Sequence, residues 1–408
     1  IVMNDNNVVN HPLRKTIEDV VVYINNLFDV AILDWISDIH IEATREFLLV
    51  RFRKDWDFII NDKVSLDYSS SIITRLKVLA KVKIDEAKKP QDWKIVYVSE
   101  KNNLTVDIRL STLPTIYWEK IVMRILRQDN DRIQLDKLWF LELNHQKIKE
   151  VLKSRYWIIL VAWPTWSWKS TTLFSVLKNF NPLEYNISTL EDPVEYNIDY
   201  VNQSQIKPEI WYTFASGLRS LVRQDPDIIM VWEIRDKETA LLSIEAALTW
   251  HLVLSTIHTN SATATIQRLI NMWIEPFLIA SALKMIISQR LVKKICPHCK
   301  KPHTIDQTTR SRVVNELKNI MDEGEINQIQ FYKWEWCEHC KQTWYLWRMW
   351  VHEVLVLGDF IEKQILELAS VSELTKTAIW NWMITILQDA IIKAAMWETT
   401  LEEALKLI

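Results

Sequence analysis

The sequence predicts an α/β protein with a phosphate-binding loop and, further along the chain, a cysteine module. Short apolar runs alternate with helical segments in the middle of the chain, which favours a mostly parallel sheet. Residues 160–174, LVAWPTWSWKSTTLF, place an apolar strand before Lys-Ser-Thr-Thr, the outline of a loop that binds phosphate where a helix begins. Two C-x-x-C pairs follow in the last third of the chain.

Tryptophan occupies the positions of this loop where glycine is needed. The pattern G-x-x-x-x-G-K-[ST] requires glycine because its backbone N–H groups curl around an anion, and glycine adopts positive φ at little cost. Trp163, Trp166 and Trp168 stand there instead, and an indole would fill the space of the phosphates. Either the loop cannot bind phosphate, or these letters represent glycine in the native protein.

The composition favours the second alternative. Glycine makes up about 7% of an average protein, so roughly 29 are expected in a chain of this length. The 408 residues hold 3 Gly and 21 Trp, which together make an ordinary glycine count. Tryptophan also stands at breaks where turn residues are expected, as in KDWD, LTWHLV and WYLWRMW. We infer that the gene uses UGA for glycine and that this codon was translated as tryptophan.

The length and amino-acid composition indicate a globular protein of two to four domains. The chain is 49% hydrophobic and 25% charged, and its 49 basic and 52 acidic residues give a net charge of −3. This balance argues against a broad nucleic-acid-binding surface. No apolar run approaches the roughly 18 residues of a membrane span and no signal peptide is visible, so the cytoplasm is expected. Because the chain starts at Ile1, we expect that an N-terminal piece is missing.

The first part of the chain predicts a helical remnant, a small α/β domain and a linker. Residues 1–32 are assigned to the end of a preceding helical segment or linker, and residues 33–127 to the small domain. Residues 128–150 predict a linker that runs into a helix. Within the small domain, the pattern predicts a hairpin at 47–60, a helix at 71–82 and a second hairpin at 94–111.

The remaining chain predicts a larger α/β core with two additions. The core spans 151–290, a cysteine module spans 291–350, and 351–408 form a helical C-terminal part of the same domain. Strands are expected in the core at 157–163, 185–191, 227–233 and 251–258, with helices between them.

With the tryptophans read as glycine, residues 163–170 satisfy the phosphate-loop pattern and predict a nucleotide site. Lys169 would reach the β- and γ-phosphates, Ser170 would ligate Mg²⁺, and the following helix would present its positive N-terminus. A chance match is the alternative, and the position between a strand and a helix argues against it. The expected binding residues are Trp163, Pro164, Thr165, Trp166, Ser167, Trp168, Lys169, Ser170 and Thr171.

Acidic residues end two of the expected strands. DPDIIMVWE closes an apolar strand with Glu233, whose carboxylate could activate water or act on Mg²⁺ through its shell; a solvated strand-end acid is the alternative. Glu191 and Asp192 follow another strand in LEDPVE. Both could face the phosphates, or the Asp-Pro pair could simply terminate the strand.

Two histidines flank the expected strand LVLSTI. His251 and His258 are seven positions apart, which puts them on opposite faces of an extended strand and predicts different roles. A lone histidine is more often structural than catalytic. Only His258, at the C-terminal end of the strand, is expected to sense the nucleotide.

The four cysteines form two metal-binding knuckles. Cys296-x-x-Cys299 and Cys337-x-x-Cys340 are separated by 37 residues, and four thiolates suit tetrahedral Zn²⁺. Because every cysteine is used and no ligand position stays open, the pattern predicts a structural Zn²⁺ site. A redox pair is the alternative.

Together these residues resemble the hexameric ATPases of type II secretion and type IV pilus assembly. The likeness covers about residues 33–408. It rests on the loop and on SDIHIE, STLPTIYWEKIVMRIL, EDPVEY, FASGLRSLVRQDPDIIMVWEIRD, TWHLVLSTIHTN and the double C-x-x-C. Where the family has glycine, this chain has tryptophan. Smaller departures are Ala43, where the family usually has proline, and Ile257, where it often has leucine.

The resemblance implies a RecA-like motor domain behind the small α/β domain, with subunits packed in a ring. By themselves, two arginines of the small domain, in VDIRLST and VMRIL, would be ordinary surface residues. The resemblance assigns them to phosphate contacts. The implied site residues are the catalytic Glu233, the acidic pair Glu191 and Asp192, the histidines His251 and His258, and the arginines Arg109 and Arg124.

The family further implies an ATP-hydrolysing motor for pilus or pseudopilus assembly, with ATP, Mg²⁺ and structural Zn²⁺. The tetracysteine module is typical of the assembly branch rather than the retraction branch. Expected partners are a homo-hexamer, an inner-membrane platform protein and, through it, pilins or pseudopilins, at the cytoplasmic face of the membrane. No nucleic acid is expected, although a RecA-like nucleic-acid motor or DNA-uptake ATPase is the alternative. A non-catalytic scaffold is the third possibility, if tryptophan is literal.

Overall fold

Two compact units make up the chain, Ile1–Asn130 and Asp131–Ile408. The computed structural model describes residues 12–54, 57–99, 101, 104–127, 134–154, 156–163, 169–195, 197–335, 337, 340 and 344–407, with only the backbone of 169 and 170. Within these ranges, no helix combines the length and the apolar character needed to cross a bilayer.

The first unit is built on a seven-stranded sheet. Its strands are β1 (Leu13–Arg14), β2 (Asp38–Ala43), β3 (Phe47–Lys54), β4 (Asp57–Ser65), β5 (Gln91–Ser99), β6 (Leu104–Pro114) and β7 (Glu119–Arg127). They lie in the order β1-β4-β3-β2-β7-β6-β5, and all neighbours are antiparallel except β1 and β4. The hairpins β3–β4 and β5–β6 match the predicted ones, while their turns at 55–56 and 100–103 include residues outside the described ranges.

Two helices, α1 (Val20–Leu33) and α2 (Ser69–Leu79), share the core of this sheet. Phe28 of α1 and Leu76 of α2 are completely buried among apolar strand residues. The side chain of Asp19 accepts backbone N–H bonds at the start of α1 and so caps the helix. The segment predicted as a separate N-terminal remnant therefore contributes a helix to the core of the small domain.

The second unit is built on a mostly parallel sheet, as the alternation of strands and helices predicts. Its strands are β8 (Trp157–Ala162), β9 (Ile187–Glu191), β10 (Asn202–Gln205), β11 (Ile228–Val231), β12 (Leu252–Ile257), β13 (Leu283–Ile295) and β16 (Tyr345–Val356). The order is β10-β9-β11-β12-β8-β13-β16, with only β13–β16 antiparallel. A separate two-stranded sheet pairs β14 (Lys300–His303) with β15 (Phe331–Trp334).

Helices surround the parallel sheet, and its strands β9, β11 and β12 are buried along their length. β11 and β12 have no exposed residue, as expected for parallel strands covered on both faces. The helices of this unit are α3 (Glu142–Leu152), α4 (Lys169–Leu177), α5 (Phe214–Leu221), α6 (Lys237–Leu248), α7 (Ala262–Asn271), α8 (Pro276–Ala282), α9 (Gln307–Leu317), α10 (Glu323–Gln328), α11 (Asp359–Leu366), α12 (Val371–Trp380), α13 (Ile386–Ala395) and α14 (Leu401–Leu405).

The long antiparallel pair β13–β16 was not predicted. It extends from Met285↔Val356 to Ile295↔Tyr345. The segment LKMIISQRLVKKI lacks strict alternation, so pairing with β8 and β16 rather than its own pattern makes it a strand. Because β16 ends at Val356, the segment predicted as purely helical from residue 351 begins inside the sheet.

Tryptophan dominates the left-handed backbone positions. Of the fourteen described non-glycine residues with positive φ, ten are tryptophan. A left-handed conformation costs an ordinary residue roughly 1–2 kcal/mol, so ten tryptophans would cost on the order of 10–20 kcal/mol, as much as the entire stability of a typical domain. The ten are Trp35, Trp139, Trp157, Trp211, Trp250, Trp273, Trp344, Trp347, Trp382 and Trp397.

Five of these tryptophans end helices in the position that glycine usually fills. After α6, Trp250 has φ 73° and donates its N–H to the Ala247 carbonyl at 3.2 Å, while the N–H of His251 bonds to the Ala246 carbonyl at 3.2 Å. These two bonds form a Schellman motif, whose left-handed residue is most often glycine. The longer of these two connections, from an N–H to the carbonyl five residues earlier, also closes four other helices. These are α1, α7, α12 and α13, which end around Trp35, Trp273, Trp382 and Trp397.

Candidate active site and metal centre

The carboxyl ends of four neighbouring parallel strands form one edge of the second sheet. β9 ends at Glu191, β11 is followed by Glu233, and β12 is followed by His258. β8 leads at the same edge into the predicted phosphate loop, since Ala162 pairs with Ile257 at the end of β12. Ligands of open α/β sheets bind at this edge.

Backbone hydrogen bonds hold Glu233 at this edge. The N–H of Trp232 bonds to the Leu190 carbonyl at 2.8 Å, and the N–H of Ile234 bonds to the Thr256 carbonyl at 2.9 Å. The chain on either side of Glu233 is therefore tied to both neighbouring strands. Glu233 itself is 3% exposed.

Two basic side chains contact the Glu233 carboxylate, one on each oxygen. His258 Nε2 lies 2.7 Å from Oε1, and Arg235 Nη2 lies 3.0 Å from Oε2. Arg235 Nη1 also lies 4.0 Å from Asp192 Oδ2. The hydrogen bond to Glu233 raises the pKa of Arg235. Such an arrangement can keep a buried carboxylate oriented to accept a proton from water.

Glu191 is buried in a different environment at the end of β9. Thr189 Oγ1 donates to its Oε1 at 2.6 Å, and Gln203 Nε2 donates to the same oxygen at 2.9 Å. Burial raises the pKa of Glu191, although these two donors and the backbone of Glu195 favour the ionised form. Asp192, the next residue, is partly exposed and reaches toward Arg235. Of the two neighbouring acids, Glu191 is therefore buried and Asp192 is partly exposed to solvent.

The two predicted histidines lie at opposite ends of β12. His258 follows the carboxyl end and contacts Glu233, whereas His251 precedes the amino end. The Nδ1 atom of His251 lies 2.8 Å from the Ala246 carbonyl, at the end of α6. Because the strand between them is extended, the two residues are separated by about 23 Å along it. The structure thus does not bring His251 to the edge that holds Glu233.

The predicted phosphate loop is only partly described. Positions 164–168, which include Pro164, Thr165, Trp166, Ser167 and Trp168, lie outside the described residues, as do the side chains of Lys169 and Ser170. Helix α4 begins at Lys169, and the backbone N–H of Trp163 bonds to the Ile257 carbonyl at 3.1 Å. Thr171 Oγ1 is buried without a hydrogen-bond partner among the described atoms. The strand and helix predicted on either side of the loop are thus both present.

The two predicted arginines lie side by side in the first unit. Arg109 on β6 is the direct cross-strand partner of Arg124 on β7. Arg124 Nε also bonds to Asp38 Oδ1 on β2 at 2.9 Å. Residues that are 15 positions apart in sequence thus present two guanidinium groups on one face of the sheet.

The four cysteines converge in the second unit. Cys296 directly follows β13, and Cys340 precedes β16, so the antiparallel pair brings the two knuckles together. The four Sγ atoms all lie within 4.8 Å of one another and are buried. A tetrahedral Zn²⁺ with bonds of about 2.3 Å needs sulfurs roughly 3.8 Å apart, so the cluster fits such an ion after small adjustments. Burial raises the pKa of the Cys296 and Cys299 thiols.

Sequence reasoning missed Arg235. It lies two positions after Glu233 in EIRD, immediately before Asp236, the residue that caps α6. The sequence shows a basic residue beside an acid, which is the usual pattern of a solvated loop. Only the fold shows that its guanidinium group reaches Glu233 and approaches Asp192.

Sequence comparison identifies the family. The family model described as "Type II/IV secretion system protein" matches residues 14–406. The chain is 41% identical over 383 residues to "Type IV pilus assembly ATPase PilB" of Thermus thermophilus, covering 94% of this chain and 42% of that protein. It is 38% identical over 399 residues to "Type II secretion system ATPase E" of Vibrio cholerae, covering 97% and 77%.

Structure comparison agrees at the level of the fold. The Legionella pneumophila ATPase DotB has a TM-score of 0.70 at 19% identity, covering 98% of this chain and 99% of that one. The pilus retraction motor PilT with bound ADP has a TM-score of 0.63 at 23% identity, covering 94% and 96%. The chain belongs to the type II/IV secretion system protein family, and its relatives are named as ATPases. The resemblance stated from the sequence is thereby confirmed.

Proposed function

We propose that this chain is the ATP-hydrolysing motor of a type IV pilus or type II secretion pseudopilus assembly machine. The observation that carries the proposal is the buried Glu233, held at the carboxyl edge of a parallel sheet with His258 on one of its oxygens. The family membership supports it. The chain spans less than half of the Thermus thermophilus relative, so the activity of the whole protein is part of the proposal.

The nucleotide would be ATP, bound where β8 passes into α4. The loop from Trp163 to Thr171, with Lys169 and Ser170 at its end, would bind the phosphates, and the N-terminus of α4 would favour their negative charge. Thr171 Oγ1, which is buried and has no hydrogen-bond partner among the described atoms, fits a polar ligand there. Mg²⁺ at Ser170 would neutralise charge on the β- and γ-phosphates.

Within this site, Glu233 would orient the attacking water and accept its proton, with Asp192 at the same edge. His258 would report the state of the nucleotide, since it is partly exposed and already contacts Glu233. The resemblance assigns Arg109 and Arg124 to phosphate contacts. We retain that assignment as a proposal, supported by their adjacent positions on one sheet face.

The proposed activity requires glycine at the tryptophan positions of the loop. The support is conformational, because ten of the fourteen left-handed non-glycine residues in the described ranges are tryptophan. Peptide mass spectrometry of the native protein over residues 156–169 tests it. Glycine masses at Trp157, Trp163, Trp166 and Trp168 are expected. Tryptophan masses there would exclude the enzyme and favour the scaffold alternative.

The cysteine cluster is proposed to hold one structural Zn²⁺. Cys296, Cys299, Cys337 and Cys340 offer four buried thiols at compatible spacing and leave no ligand position open. Elemental analysis of protein purified under reducing conditions should find one Zn²⁺ per chain. Protein that is fully folded and contains no zinc would contradict this assignment.

We further propose the assembly context that the resemblance implies. The second unit would be the RecA-like motor, the first the small domain that precedes it, and residues 291–350 the zinc module. Six subunits would form a ring at the cytoplasmic face of the inner membrane and act on a platform protein and, through it, on pilins or pseudopilins. The cysteine cluster favours assembly over retraction.

The experiment that tests the proposal is ATP hydrolysis by glycine-containing protein, expressed from a gene with glycine codons at the tryptophan positions. Mg²⁺-dependent turnover is expected, and Lys169→Ala should abolish it because the lysine neutralises phosphate charge. Undiminished turnover in this variant would contradict the site assignment. Stimulation by single-stranded DNA at moderate salt would favour the nucleic-acid motor instead.

A further inference from the structure

Arg235 and His258 contact different oxygens of the Glu233 carboxylate. Nη2 of the arginine lies 3.0 Å from Oε2, while Nε2 of the histidine lies 2.7 Å from Oε1. A carboxylate held through one oxygen can still rotate about its last side-chain bond, because that torsion is broad. A second partner on the other oxygen fixes the plane of the group.

We infer that Arg235 is a positioning residue for Glu233, and the inference rests on the proposed ATPase function. The guanidinium group is a planar fork that binds carboxylates with defined geometry, which a lysine ammonium does not reproduce. Nη1 of the same fork lies 4.0 Å from Asp192 Oδ2, so Arg235 spans the ends of β11 and β9. The arginine thereby orients one acid relative to the other.

The backbone around Arg235 is anchored, which makes this contact reproducible. Asp236, the next residue, caps α6 by accepting the Thr239 N–H at 2.8 Å. On the other side, Ile234 is tied to β12 through the Thr256 carbonyl. The arginine therefore extends from a short segment that is fixed at both ends.

His258 and Arg235 are expected to have different roles because their exposure and their acid–base chemistry differ. His258 can exchange Glu233 for a ligand, because its side chain is 37% exposed and follows the last residue of β12. Arg235 remains charged throughout the accessible pH range. When His258 changes partner, Arg235 keeps the carboxylate in place.

The test compares Arg235→Gln with Arg219→Gln in glycine-containing protein. Arg219 is the matched control, since it is similarly exposed and forms an ion pair with Glu238, between α5 and α6. We expect the kcat of R235Q to fall about 10- to 100-fold, the value of one charge-assisted hydrogen bond, with KM changed less than about twofold. R219Q should leave both constants unchanged. R235K should recover part of the kcat, because it restores charge without the fork.

A double variant separates positioning from general stability. In the Glu233→Gln background, R235Q should cause no further loss, because Arg235 acts through the carboxylate. Unchanged kcat in R235Q, a parallel loss of binding of a fluorescent ATP analogue, or an equal additional loss in the E233Q background would each overturn the inference. An inactive parent protein would overturn the proposed function itself, whereas an active parent with an unaffected R235Q overturns the positioning role only.

Discussion

Glu191 and Glu233 are two buried glutamates at the carboxyl ends of neighbouring strands, yet their surroundings differ. Glu233 has His258 on one oxygen and Arg235 on the other. Glu191 receives hydrogen bonds from Thr189 and Gln203, and both donors are uncharged. Both glutamates are almost completely excluded from solvent.

Burial by itself does not make a strand-end acid a base. Burial among uncharged donors favours the protonated form and raises the pKa of Glu191. Glu233 instead has a partner on each oxygen, Arg235 on one and His258 on the other, and the two contacts fix the plane of the carboxylate so that an oxygen can be directed at water. We therefore expect Glu233 to take part in ATP hydrolysis. Glu191 is expected to stabilise the contact between strands β9 and β10.

The largest expected effect is that of Glu233→Gln. Removing a general base should lower the kcat for ATP hydrolysis by about 10²–10⁴-fold. Glu191→Gln is the matched control, because the amide oxygen can still accept from Thr189 and Gln203; its kcat should stay within about fivefold, the value of roughly 1 kcal/mol. Steady-state ATPase assays on glycine-containing protein measure both. Equal losses of kcat in the Glu233→Gln and Glu191→Gln variants would contradict the different roles assigned to the two glutamates.

A smaller effect is expected from the two histidines. His258→Asn should lower kcat about tenfold or more, since it removes a contact of Glu233. His251→Asn should leave kcat unchanged and lower the stability by about 1 kcal/mol, because the contacts it loses, with Ala246 and Thr249, lie at the end of α6 and away from Glu233. Turnover and thermal unfolding, measured side by side, separate the two outcomes. A loss of turnover in H251N would show that His251 acts at the site after all.

The smallest effect concerns pH. The raised pKa of Glu191 means that the folded protein holds this proton more tightly than the unfolded chain does. Its contribution to stability is therefore fully present below the ordinary glutamate pKa and is lost as the pH rises through the folded value. Glu191→Gln should gain melting temperature relative to the parent as the pH is raised from acidic to neutral. A difference that stays constant across this window would contradict the raised pKa.

Much of the second unit could be predicted from local pattern. Short apolar runs with β-branched residues are enough to identify β8, β9, β11 and β12, because parallel strands are buried on both faces. β13 and β16 could not be found in this way. Their residues have no clean period, and pairing with other strands decides their conformation.

In the candidate site, too, some residues could be predicted from local pattern and others could not. Glu233 and His258 were predicted, since strand-end position is a local property and ligands bind at that edge. The burial of Glu191 and the contact of Arg235 were not, because the first depends on the neighbouring strand β10 and the second on how the chain turns after β11. The different positions of His251 and His258 were expected, because an extended strand separates the residues at its two ends.

The family, the pattern of four cysteines and the conflict between tryptophan and a phosphate loop could be read from the sequence, because these depend on residue identity and spacing. The fold was needed to show that Glu233 has a guanidinium partner, that Arg109 lies beside Arg124, and that the cysteines meet at the ends of β13 and β16. These contacts depend on how the strands pair and on how the chain turns where a strand ends. Sheet pairing brings these residues together, and no local pattern encodes it.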